Sequence, residues 1–108
     1  MELNGKQKAY LRGLAHDKNP VVFVGREGAT EAVIRKMNIE LEAHELVKAR
    51  VGDGCEAPIG EVAEAIATGA NAALVQVIGH TFSLYRRRKK KPEIVLPPAD
   101  KAPVADKI

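Results

Sequence analysis

Val21-Val22-Phe23-Val24-Gly25-Arg26-Glu27-Gly28-Ala29-Thr30-Glu31-Ala32-Val33-Ile34 sets the fold class of this 108-residue chain. Four apolar residues, Val21 to Val24, read as a short strand. They show no polar alternation, which predicts a strand covered on both faces. A Gly-x-x-Gly loop follows. A helix then runs from about Thr30 to His44, with Thr30 as N-cap and Val33, Ile34, Met37 and Leu41 along one face. Strand, glycine loop and helix together are a common way to offer backbone N–H groups to a phosphate. Gly25 and Gly28 let the backbone come close to a ligand because no Cβ intervenes. Arg26 adds a cation between them. The plainer reading of the two glycines is a strand-to-helix turn that needs positive φ. A dinucleotide fingerprint would need a third glycine and a P-loop would need Gly-Lys-Ser/Thr, so neither fits.

Upstream, residues 4–15 predict a helix capped by Asn4, with Leu3, Tyr10, Leu11 and Leu14 on its apolar side. Lys8 and Arg12, four apart, share a face about opposite that stripe, and Lys6 lies off to the other flank. These cations read either as a basic binding surface or as an ordinary solvated face. Pro20 launches the next segment extended. In the helix after the loop, Arg35, Lys36, Glu40 and Glu42 point outward with mixed sign, and Ile39 points outward with them.

Downstream, Glu45–Val51 alternates Leu46, Lys48 and Arg50 against Val47, Ala49 and Val51, giving a strand with one apolar face and one carrying two cations. Glu56 to about Thr68 predicts a third helix, with Pro58 in its first turn. Its stripe is Ile59, Val62, Ala63 and Ile66. Its outer face carries Glu61 and Glu64, which would repel a polyanion. Gly69 is placed to end this helix in the left-handed conformation. Ala72–Ile78, the two-residue turn Gly79-His80 and Thr81–Arg86 predict a hairpin. The order α-β-α-β-α-β-β predicts an α/β (α+β) domain, a small mixed four-stranded sheet packed with helices. The segment 92–98 can lie extended against the body. Ala99–Ile108 reads as disordered, so the expected organisation is one domain over 1–97 and a tail over 98–108.

The net charge of +3 conceals an asymmetry. Residues 1–85 hold nine Lys/Arg against eleven Asp/Glu, and residues 92–108 hold two against three. The positive excess is therefore one run, Arg86-Arg87-Arg88-Lys89-Lys90-Lys91. It reads as an anion-binding patch, nucleic acid first and membrane surface second, or as a solvated tail. No apolar run is long enough for a membrane helix, and the start of the chain lacks the apolar segment of a signal peptide. With the single Cys55, the expected setting is cytoplasmic.

Chemistry is sparse. His16, His44, His80 and Cys55 form no short ligand pair, so neither a metal nor another cofactor is expected. Cys55 has no basic neighbour in sequence to activate it. The outward carboxylates form no acid–base pair, so no enzyme is expected. The chain has no Trp. Tyr10, Phe23 and Phe82 read as core, which argues against a platform of exposed aromatics that stacks bases.

Several stretches, in order, resemble the YhbY family, stand-alone bacterial versions of the CRM domain. They are Leu11-Arg12-Gly13-Leu14-Ala15-His16, Asn19-Pro20-Val21-Val22, Val24-Gly25-Arg26-Glu27-Gly28, His44-Glu45-Leu46-Val47-Lys48, and Val75 through Arg86. The resemblance runs from about Leu3 to Pro97. It implies a fold similar to the C-terminal domain of translation initiation factor three, with an added N-terminal helix. It implies that Gly25, Arg26, Glu27 and Gly28 clamp RNA as the loop of a KH domain does. The basic helix surface carried over is Lys6, Lys8 and Arg12. The implied partner is ribosomal RNA of the large-subunit precursor, with no membrane and no small-molecule substrate. The alternative is a protein-interaction module that docks a ribosomal protein or assembly factor. Glu27 departs from relatives that often carry an uncharged or basic residue there, which weakens the loop's hold on phosphate. The unbroken run Arg86–Lys91 is heavier than expected and would move part of the affinity to a flexible basic arm.

Overall fold

The computed structural model describes residues 3–97; the tail expected over 98–108 lies outside the described residues. The elements are α1 (Gly5–His16), β1 (Val22–Val24), α2 (Glu31–His44), β2 (Leu46–Val51), α3 (Ile59–Gly69), β3 (Ala73–Ile78) and β4 (Thr81–Tyr85). They form one sheet in the order β1-β2-β4-β3. β1 runs parallel to β2, while β4 is antiparallel to both its neighbours. The expected α/β class, element order and mixed four-stranded sheet are all present.

Each helix starts where its cap residue sits. Asn4 and Gln7 close a reciprocal capping box at α1, and Thr30 Oγ1 accepts the Val33 N–H at α2. α3 begins at Ile59 with Pro58 as its N-cap, three residues later than expected. Proline holds Ala57 away from helical geometry, so Glu56 and Ala57 stay outside.

The end of α3 also differs from expectation. The left-handed residue is Asn71, at φ 55°, and Gly69 remains helical. Ala72 N–H reaches Ala67 O and Asn71 N–H reaches Thr68 O, a Schellman closure with Asn at the C′ position. Gly69 has a different role. A Cβ there would stand 2.6 Å from Ile34 Cδ1, so the missing side chain lets α3 approach α2.

Two cores lie on opposite faces of the sheet. One joins Met37 and Leu41 of α2 and Val62, Ala63 and Ile66 of α3 to Val22, Val24, Val47, Ala49, Val51, Phe82 and Leu84. The other joins Leu11 and Ala15 of α1 to Leu46, Val75 and Tyr85, with Leu3, Ile94 and Leu96 packed around it. α1 is therefore a layer of its own. The Ala15 carbonyl in its last turn and the Lys18 carbonyl just beyond it accept hydrogen bonds from Lys48 Nζ, at 3.2 and 3.3 Å, so this half-buried strand cation caps a helix. At its other end, Gln7 Nε2 donates to Pro97 O at 3.0 Å.

Two aromatic expectations are overturned. β1 is an edge strand, buried only on the α2/α3 face, and Phe23 is 65% exposed on the other. Tyr10 is 43% exposed, because α1 buries only the narrow stripe of Leu11 and Ala15. Phe82 is fully buried, as expected.

Candidate nucleic-acid interface

The glycine loop is a tight turn at the C-terminal end of β1. Gly28 N–H bonds back to Gly25 O at 3.1 Å, and Thr30 N–H then bonds to Gly28 O at 2.9 Å and leads into α2. Arg26 and Glu27 form the tip, and both are exposed. Among the described residues, the backbone N–H groups of Arg26 and Glu27 have no acceptor. The first turn of α2, with its positive dipole end, lies immediately behind. The loop has a cleft on each side. One is lined by Cys55, Glu56 and Ala57, the other by Thr30 and Val33.

The two glycines are not equivalent. Gly28 is buried, with φ 73°, over Val62 and Cys55, so the turn itself requires it. Gly25 has no positive φ, and a Cβ there would meet nothing within 4 Å. The fold places no demand for glycine at 25.

The predicted α1 cations divide. Lys6 and Arg12 are exposed, whereas Lys8 is half-buried in a groove that it shares with Glu64 and Thr68 of α3. The acidic face of α3 thus reaches toward one of the cations assigned to the basic surface.

The basic run is not a free arm. Arg86 reaches Asn38 Oδ1 and Ala70 O, both at 2.6 Å, tying α2 to the end of α3. It also pairs with Glu42 at 3.2 Å. Arg88 donates to Glu42 O and Ala43 O at the C-terminus of α2 and to Lys91 O, and it pairs with Glu93 at 3.3 Å. Arg87, Lys89, Lys90 and Lys91 remain exposed.

The organiser of this segment is Glu45, which sequence reasoning did not single out. It is 1% exposed, yet its carboxylate accepts backbone N–H groups from Arg88, Glu93 and Ile94 at 2.8–2.9 Å. Its own carbonyl accepts Arg86 N–H. Burial by itself would raise the Glu45 pKa. The three N–H donors and the Arg88 charge outweigh it, so the carboxyl sits below its ordinary value. Glu45 also holds φ 65°, a conformation that a side chain normally avoids. Its partners lie more than forty positions away, so no local pattern announces them.

The three predicted clusters do not converge. The glycine loop and the basic run sit at opposite ends of α2, whose 14 residues span about 21 Å. The α1 cations lie on the other side of the sheet from α2. His16, His44, His80 and Cys55 remain apart, and no His/Cys/Asp/Glu cluster able to hold a metal occurs among the described residues. His44 lies 3.5 Å from Glu40, one turn earlier on α2.

Fold and site define a small mixed-sheet α/β domain that presents a glycine turn at a strand–helix junction. The family model described as the CRS1 / YhbY (CRM) domain matches residues 3–86, and the chain belongs to that family. It is 42% identical over 95 residues to a Bacillus subtilis protein named as a probable RNA-binding protein, YqeI, covering 88% of this chain and 99% of that one. It is 43% identical over 84 residues to a Haemophilus influenzae protein named RNA-binding protein, covering 78% and 85%. Among solved structures, a hypothetical protein of Staphylococcus aureus superposes with a TM-score of 0.78 at 40% identity, covering 89% of this chain and all of the other.

Proposed function

We propose that this chain is a non-enzymatic cytoplasmic RNA-binding protein that associates with precursor ribosomal RNA of the large subunit during assembly. The observation that carries the reading is the turn at Gly25–Gly28, where exposed Arg26 and Glu27 have backbone N–H groups with no acceptor among the described residues, directly ahead of the first turn of α2. Such an arrangement suits an RNA phosphate. Gly25 supports it, because the fold does not need a glycine there and its missing side chain leaves the backbone open to an approaching phosphate. The relatives named as RNA-binding proteins support the partner class. Exposed Glu27 works against phosphate, so most of the affinity falls to Arg26, Lys6, Arg12 and the outward cations of the basic loop.

Sucrose-gradient fractionation of native lysate, at low and high salt and with and without ribonuclease, tests this reading. Migration at or just below the free large subunit, lost at high salt, is the expected result. Protein only at the top of the gradient at both salts overturns it. A second reading, docking to a ribosomal protein or assembly factor, is favoured by Ile39, which is 60% exposed on α2. Co-migration that survives ribonuclease would select it.

A further inference from the structure

α1 leaves part of its sheet face uncovered, and the uncovered part is one row of side chains across all four strands. Val22 and Val24 point into the α2/α3 core, so alternation sends Phe23 to the opposite face. The register pairs Phe23 with Arg50, Arg50 with Thr81, and Thr81 with Ile78. Cross-strand partners share a face, at steps of about 4.8 Å. Phe23, Arg50, Thr81 and Ile78 therefore form a continuous line. α1 ends one step short of it, over Lys48, the preceding residue on that face of β2.

The composition of this row is unusual for solvent. Phe23 and Ile78 are 65% and 60% exposed. Arg50 is exposed between them and makes no ion pair among the described residues. The row also adjoins the glycine turn. Gly25 lies two residues beyond Phe23, and Gly52, two beyond Arg50, donates its N–H to Val24 O at 2.9 Å.

We propose that this row is a nucleobase platform for single-stranded RNA. One unpaired base stacks on the Phe23 ring, Arg50 pairs with the adjoining phosphate, and the strand continues onto the Gly25–Gly28 turn. The inference rests on the RNA-binding reading and deepens it. RNA alternates a flat apolar face with an anion along one chain, which matches an aromatic ring, an unpaired guanidinium and a cationic turn in succession. It also gives the loop a means to prefer unpaired strands, because a base held in a duplex cannot reach the ring.

Binding of a labelled single-stranded oligoadenylate, and of an RNA duplex of the same length, by the full chain tests the platform. Phe23→Ala is expected to weaken oligoadenylate binding roughly tenfold. Duplex binding and the salt dependence should stay as in the wild type. Arg50→Gln should weaken binding and flatten the salt dependence. The chain has no Trp, so Phe23→Trp places a lone indole at the site, and oligoadenylate should quench its fluorescence. Wild-type affinity in Phe23→Ala with no quenching in Phe23→Trp overturns the platform while RNA binding stands. Loss of a co-purifying protein from Phe23→Ala, with RNA affinity intact, overturns it in favour of a protein partner. Failure of the wild type to bind either RNA at low salt removes the RNA-binding reading, and the platform with it.

Discussion

The Glu45 carboxylate accepts the backbone N–H of Ile94 at 2.8 Å, joining positions 49 residues apart. Two further N–H donors, from Arg88 and Glu93, converge on the same group. A buried anion thereby folds the basic segment against the end of α2.

Glu45→Gln keeps the shape but removes the charge and one acceptor oxygen. The expected cost is about 2 kcal/mol by denaturant unfolding, the scale of hydrogen bonds to a charged group. Hydrogen exchange at Arg88, Glu93 and Ile94 should quicken. Unchanged protection there would show that the carboxylate does not hold the segment.

The same residue predicts a pH dependence. Its folded pKa lies below the ordinary 4.5, so the ionised form is favoured more in the folded chain than in the unfolded one. The resulting stability is complete well above 4.5 and is lost as pH falls through the depressed folded value. Wild-type stability should therefore decline more steeply than that of Glu45→Gln as the pH drops below 4.5. Parallel curves would assign acid sensitivity to other carboxylates.

Gly25 and Gly28 should respond in opposite ways to alanine. Gly28→Ala forces a side chain into φ 73° and should cost about 1–2 kcal/mol of stability. Gly25→Ala should leave stability within about 0.5 kcal/mol, because its Cβ meets open space. Its defect should appear in RNA affinity alone. Equal affinity for wild type and Gly25→Ala would leave that glycine without a binding role.

Gly69→Ala gains helix propensity, yet its Cβ collides with Ile34 Cδ1. A net loss of about 1 kcal/mol is expected from overpacking. Ile34→Val removes Cδ1, so adding Gly69→Ala to that background should cost less or stabilise. A double-mutant cycle reads the coupling, and an additive result would place the conflict elsewhere.

Arg26 is exposed and makes no ion pair among the described residues, so Arg26→Ala should leave stability unchanged. On single-stranded RNA, the slope of log K against log salt should flatten by about 0.7, the contribution of one phosphate contact. An unaltered slope would take Arg26 out of the interface.

The sequence disclosed the elements well because periodicity is local. Met37 and Leu41, or Val47, Ala49 and Val51, declare their buried face by spacing alone. Phe23 escapes the pattern for the same reason. A short apolar run says nothing about whether its strand lies at the centre or the edge of a sheet, and β1 is an edge. By composition the basic run is six like charges. Continuing the alternation of β4 through it separates inward Arg86 and Arg88 from outward Arg87, a local signal that composition does not carry. Glu45 gave no signal, because its burial is made by residues 88–94.

The hydrogen bond from Gln7 to Pro97 O, with Leu3, Ile94 and Leu96 all packed against the Leu11–Tyr85 core, brings the two limits of the described chain to the same face of the sheet. A short linker from Pro97 to Leu3 would thus close the backbone into a ring without crossing either core. The exposed Gly79-His80 turn is then the natural place to open a circular permutant. Tags or fused modules at residues 3 and 97 would emerge together on the α1 face of the sheet.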